Sequence, residues 1–347
     1  MKRKAIPEGY TTAADFDALT QKRSTPSLHN TRPPGVTALS LSANGKLALT
    51  GGNDKQVLVH DRAQDKVVSV LKGHTKKILR VAFSASDILT GADADQSPSP
   101  AYAVSSSEDQ TVRIWKLDEG SEDSYSLSHT LKGFKSEPAG LSIHPSGDFA
   151  VSAFRDGRWR LHDLSTGEQL LEVTKPAEEL EGGYEYESAQ FHPDGTLLAL
   201  GTSGGAVCIW DVKAVSMVET LRGHNGPIST LDFSENGYYL AVAPSNTSGP
   251  TEVKVWDLRK ISVAGVITLP DEYASAGPVR AVRFDASANF LAVAGNDLRV
   301  YANKTWKELK VYEEGLAGEI TGVQWDARNG DIVTVGADRT MRVFGKP

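Results

Sequence analysis

Residues 223–257 read GHNGPISTLDFSENGYYLAVAPSNTSGPTEVKVWD, and their internal order decides what kind of fold to expect. ISTLDF (228–233) alternates apolar and polar side chains, the period of a half-buried strand. SENG (234–237) supplies glycine where a tight hairpin requires positive φ. YYLAVA (238–243) is a second apolar strand. VKVWD (253–257) is a third, ending in an aromatic residue and an aspartate.

The same grammar recurs along the chain. Ring-ended strands occur as VLVHD (57–61), VRIWK (112–116), WRLHD (159–163), VCIWD (207–211), VKVWD (253–257), LRVYA (298–302) and MRVFG (341–345). Their closing rings are His60, Trp115, His162, Trp210, Trp256, Tyr301 and Phe344, spaced by 55, 47, 48, 46, 45 and 43 residues. Seven units of this length match one propeller blade each. Hairpin turns repeat as well: SANG (42–45), HPSG (144–147) and HPDG (192–195). Three strands per unit plus one linking strand give four-stranded blades.

Gly73-His74 and Gly223-His224, taken with Trp210-Asp211 and Trp256-Asp257, resemble the signature of the WD-repeat family over 36–344. The resemblance implies an all-β, seven-bladed WD-repeat β-propeller of four-stranded antiparallel blades. In that family the last repeat supplies three strands, and the fourth comes from ahead of the first repeat. The closing strand is therefore expected near 19–29, because an open ring would leave two unpaired sheet edges. The propeller would span 19–347, with 1–18 as a linker or tail. Met1 followed by KRKAIPEGY reads as the middle of a longer chain. The signature is uneven: Gly133-Phe134 replaces Gly-His in the third unit, and the first, sixth and seventh units have no Gly-His.

The family pattern assigns His74 to a hydrogen-bonded set with Asp109, one of Ser105 to Ser107, and Trp115. An aspartate six residues before the strand ring recurs as Asp54/His60, Asp156/His162 and Asp338/Phe344. His224, Trp210 and Trp256 complete the expected structural tetrads. The fourth, fifth and sixth units lack the aspartate, and Gly204 takes its place in the fourth. A spacing repeated across units is what a structural device produces, whereas an active site is normally unique. His, Asp and Ser could also make a catalytic triad. No G-x-S-x-G elbow accompanies them, however, and the serines fall in a strand.

Other chemistry is not visible. No His/Asp/Glu cluster has metal-ligand spacing, no phosphate loop occurs, and GADADQ (91–96) lacks the spacing of a calcium loop. No catalytic residue, metal or cofactor is expected. Cys208 is the sole cysteine, which excludes an intrachain disulfide and fits a reducing compartment. No apolar run reaches the ~18 residues of a membrane span. A net charge of −7 argues against a chain that grips phosphate backbones, so nucleic acid contact is expected to be indirect at most.

Function should then lie in loops on a rigid scaffold. The loop into the second unit carries Lys72, Lys76 and Lys77, with Arg80 just beyond. Those into the fourth (PAEELEGGYEYE, 176–187), sixth (PDEYASAG, 270–277) and seventh (EEGLAGE, 313–319) are acidic. The expectation is a polarised docking face, with Lys76, Lys77, Glu108, Arg155, Glu181, Tyr184, Tyr186, Asn225 and Tyr273 as partner-binding candidates. Ser- and Pro-rich insertions at 88–102 and 244–252 have no assigned role.

TLKGFK, VLKGHTKKI, FHPDG and the stretch 223–260 are also similar to the C-terminal propeller of the pre-mRNA-processing factor nineteen family. That family comprises spliceosomal U-box ubiquitin ligases that also act in DNA repair. The resemblance implies a nuclear, protein-binding recruitment domain for spliceosomal proteins and ubiquitination substrates. Ligase activity would reside in a U-box and tetramerisation in a coiled coil, neither found here, leaving this fragment monomeric. The alternatives are a WD-repeat adaptor of another pathway and a propeller that contacts RNA directly.

Overall fold

The computed structural model describes residues 6–7, 9–31, 35–84, 99–174, 185–245, 250–270, 277–312 and 318–346. These form seven four-stranded antiparallel sheets. Six are consecutive meanders, at 36–71, 78–131, 138–174, 186–221, 228–268 and 281–312, numbered here as blades 1 to 6. Blade 7 takes three strands from 320–345, and its outermost strand is Thr20–Thr25, paired antiparallel with Met341–Gly345. The ring is closed by a strand from the other end of the sequence, which leaves no blade with an incomplete edge.

Burial follows from strand position. The second strand of each blade lies between neighbours in its own sheet and between adjacent blades, so Leu47–Gly52 is buried throughout. The outermost strands face solvent on one side; Lys66–Leu71 is exposed or half-buried up to its buried last residue. The apolar side chains divide into seven clusters, one per seam between blades. Most seams hold large rings, such as Phe83 and Trp115 between blades 1 and 2, and Trp159 and Tyr186 between blades 3 and 4. A fully buried ring contributes about 2–3 kcal/mol of transfer free energy, so the seams bind the blades into one cooperative body.

The expectation of a linker over 1–18 is corrected from Tyr10 onward. Tyr10, Phe16 and Leu19 are buried. Phe16 meets Phe290 edge-on at 4.8 Å and Trp325 at 6.5 Å, filling the seam between blades 6 and 7. The Thr11 N–H donates to the Asn329 carbonyl at 3.0 Å, and Lys346 pairs with Asp15 at 2.9 Å. The segment ahead of the closing strand is thus part of the domain.

Candidate functional site

Blade 2 carries the complete hydrogen-bonded set. The Trp115 indole donates to Ser105 Oγ at 2.9 Å, Ser105 Oγ lies 2.8 Å from His74 Nε2, and His74 Nδ1 lies 2.9 Å from Asp109. Asp109 also accepts from the Thr75 N–H at 2.8 Å and the Thr111 hydroxyl at 2.6 Å. Burial alone would raise the Asp109 carboxyl, but these donors hold it below the ordinary range. Burial pushes the His74 imidazole down despite its carboxylate partner. Ser105 is fully buried, so no substrate could reach it as a nucleophile. The arrangement is a pin between strands, with its polar atoms satisfied as burial requires.

Elsewhere the set is altered. In blade 1 the histidine is His29, which sequence reasoning missed because it follows Leu28 and precedes the first unit. Its Nδ1 lies 2.8 Å from Asp54 and its Nε2 3.0 Å from Thr50. His60 stands in the tryptophan position with neither ring nitrogen hydrogen-bonded, and burial pushes it down to about 4. In blade 3, Phe134 cannot bond Asp156; that carboxylate instead accepts from the Arg158 N–H at 3.2 Å, and His162 bonds Ser152 at 3.0 Å. In blade 7, Asp338 is held by the Arg342 guanidinium and meets no histidine. In blade 5 the Trp256 indole donates directly to His224 Nε2 at 3.4 Å, and His224 Nδ1 is buried without a partner.

Tyr186 must be withdrawn as a partner-binding candidate. It is fully buried, its hydroxyl faces the Trp210 indole, and desolvation raises that hydroxyl well above the ordinary range. The hydroxyl faces that indole much as His224 faces the Trp256 indole in blade 5. Trp210 in turn packs edge-on against Trp159 at 5.6 Å. Glu181, Tyr184 and Tyr273 lie outside the described residues.

The remaining candidates sit on one end of the ring, among the loops leading into the first strands and the turns between second and third strands. Lys76 and Asn225 are exposed. Lys77 is paired with Glu108 at 2.7 Å, and Arg155 bridges Glu187 at 3.0 Å and Glu137 at 3.6 Å. Arg280 grips Glu319 at 2.6 Å. The rim is therefore less polarised than the loop sequences imply, because its described cations are interleaved with carboxylates. Such exposed pairs contribute ~0–1 kcal/mol of stability and present charges of both signs to a partner.

Below this rim Arg80 crosses the axis of the ring. Its guanidinium approaches the carbonyls of Glu187 at 3.4 Å and Ser229 at 3.3 Å, on blades 4 and 5. Desolvation, followed by the nearby Arg283, pushes it down to about 10. Asp232 near Arg283 is pushed up to about 6 by burial. Among the described residues no group of three His, Cys, Asp or Glu side chains could hold a metal ion.

The WD domain, G-beta repeat family profile matches residues 22–61, 65–116, 125–163, 186–211 and 216–257. The chain belongs to the WD-repeat family. Blade 6 and the three C-terminal strands of blade 7 fall beyond the matched segments, although their sheets repeat the same four-stranded plan. This WD-repeat chain is 34 % identical over 351 residues to Pre-mRNA-processing factor 19 of Oryza sativa subsp. japonica, covering 100 % of the chain and 61 % of the relative. It is 34 % identical over 343 residues to Pre-mRNA-processing factor 19 of Homo sapiens, covering 98 % and 62 %. To Pre-mRNA-processing factor 19 homolog 2 of Arabidopsis thaliana it is 32 % identical over 352 residues, covering 100 % and 61 %. The chain thus spans about three fifths of the length of these relatives.

Proposed function

We propose that this propeller is the recruitment module of a nuclear U-box ubiquitin ligase that acts in pre-mRNA splicing and, by the same recruitment, in DNA repair. The rim around Lys76, Lys77, Glu108, Arg155 and Asn225 receives spliceosomal proteins and ubiquitination substrates. The carrying observation is similarity to Pre-mRNA-processing factor 19 along the whole chain, not only at the repeat signature. Exposed charges of alternating sign on a rigid ring suit a docking face, since such groups set specificity and association rate. In this reading the ligase chemistry belongs to a U-box and tetramerisation to a coiled coil elsewhere in the full-length protein.

The test is affinity capture from nuclear extract with and without nuclease. Splicing proteins that remain enriched after nuclease treatment support the reading. Enrichment that vanishes with nuclease would favour an RNA-contacting propeller, and an eluate without splicing proteins would favour an adaptor of another pathway.

A further inference from the structure

The seam between blades 7 and 1 is built differently from the others. At the position just after the third strand's closing pair, the backbone N–H donates to the residue ahead of the second strand. Blades 2 to 5 place Leu117, Leu164, Val212 and Leu258 there, and each packs into its seam. Blade 6 places the polar Asn303 there and blade 1 the cationic Arg62. The outermost strand of every blade also has one bulged residue. In blades 1 to 6 it is Val68, Ser128, Leu170, Val218, Ala264 or Leu309; in blade 7 it is Lys22. Bulges re-aim side chains, and here the re-aimed group is a cation. The seam's apolar cluster, which includes Leu28, Val36 and Met341, has no aromatic ring.

What results is a bay of ≈ 300 Å³ floored by Met341 and Val343. Five cations line it, Lys22, Arg23, Lys46, Arg62 and Arg328, against two carboxylates, Asp326 and Asp331. Asp326 is almost wholly buried and taken up by Arg62 at 2.7 Å and Arg328 at 2.8 Å, while Asp331 takes Lys22 at 3.2 Å. An excess of three positive charges remains in the lining, on a chain whose net charge is −7. Lys46 reaches Glu122 at 2.7 Å, but that carboxylate's side chain is 82 % exposed and holds it loosely. The Arg62 Nε is buried without a hydrogen-bond partner. Lys22, Lys46 and Arg328 each keep about a third of the side chain exposed (32 %, 33 % and 33 %).

We propose that this bay binds the phosphate group of a phosphorylated serine or threonine on a partner peptide. Arg62 and Arg328 are fixed by Asp326 and by the Gly45 carbonyl, and with Lys22, Arg23 and Lys46 they concentrate positive charge where phosphate oxygens can be held. Clusters of arginine are a recurrent means of phosphopeptide capture. A nucleic acid strand is disfavoured because the lining has no aromatic side chain on which a base could stack. The bay lies on the turns opposite the Lys76 rim, so the inference does not depend on the function proposed above.

Fluorescence anisotropy tests it, with short degenerate peptides centred on phosphoserine, on glutamate or on unmodified serine, and with an oligothymidylate. The phosphoserine peptides should bind at least about tenfold tighter than the other three probes. Arg23→Ser with Lys46→Ser, both surface changes, should abolish that preference without altering the melting temperature. Arg328→Ser should do the same, and a loss of fold in that variant leaves the surface pair to decide. Equal binding of glutamate peptides, tighter binding of the oligonucleotide, no binding, or an unaffected surface pair would each overturn the proposal.

Discussion

His29 Nδ1 lies 2.8 Å from Asp54 Oδ1, so the segment that follows the ring-closing strand is pinned to the first blade. The same relation joins His74 to Asp109 at 2.9 Å one blade later. In both cases the histidine leaves the outermost strand of one blade and binds the turn aspartate of the next. The pin therefore holds neighbouring blades in register as well as strands within one.

Asp109→Ala should lower stability by about 1–3 kcal/mol, because it strands a buried imidazole donor and several backbone and hydroxyl donors. Asp54→Ala should act similarly through His29. Urea unfolding measures both, and an unchanged midpoint for Asp109→Ala would remove the energetic role assigned to the pin.

Deleting residues 1–30 should destabilise the whole domain and promote aggregation. The deletion removes the strand Thr20–Thr25, exposing Met341–Gly345 as a free edge. It also takes away Phe16 from its seam and His29 from Asp54. Thermal melting and light scattering report the outcome; a truncated chain that melts like its parent would contradict the closure.

Acid should weaken the fold before the ordinary carboxylates titrate. Burial pushes His60, His162 and His224 down to about 4, while an unfolded histidine titrates near 6.5. Each stays neutral in the fold and gains a proton on unfolding, so its contribution is intact above about pH 6.5 and lost as pH falls toward 4. Asp232 acts in the opposite sense. Raised to about 6, it takes its proton in the folded state first and recovers stability over part of the same window. Burial also raises Asp285 and lowers His74 and His144, so five lowered histidines stand against two raised aspartates and leave a net loss on the order of a few kcal/mol. A urea midpoint at pH 5 equal to or above that at pH 7 would contradict this balance.

Reversing Lys76 and Lys77 to Glu should weaken capture of rim-bound partners about tenfold or more while shifting stability by less than about 1 kcal/mol. Lys77 loses its exposed pair with Glu108 and gains a like charge facing it, both small effects at a solvated rim. Quantitative capture beside a thermal melt separates the two effects, and unchanged capture of every partner would remove the rim from the account.

The seven ring-ended strands were legible because their spacing repeats and because first strands such as ISTLDF (228–233) alternate. Closure near 19–29 was legible only through family resemblance, since TQKRST (20–25) carries no apolar pattern and is largely exposed. His29 escaped notice because its glycine is replaced by Leu28 and no repeat unit precedes it. Tyr10 and Phe16 escaped because isolated rings in a short polar stretch show no period. Tyr186 was misread since its neighbours are acidic, yet the first position of its strand points into the seam. Arg80 in the axis and the pairing of rim charges depend on contacts between blades far apart in sequence, which no local pattern encodes.

Crosslinking mass spectrometry of the full-length protein in nuclear extract tests the central claim most directly. The account predicts crosslinks from Lys72, Lys76 and Lys77 to splicing proteins. Crosslinks confined to proteins of other pathways, or none from this rim, would contradict it.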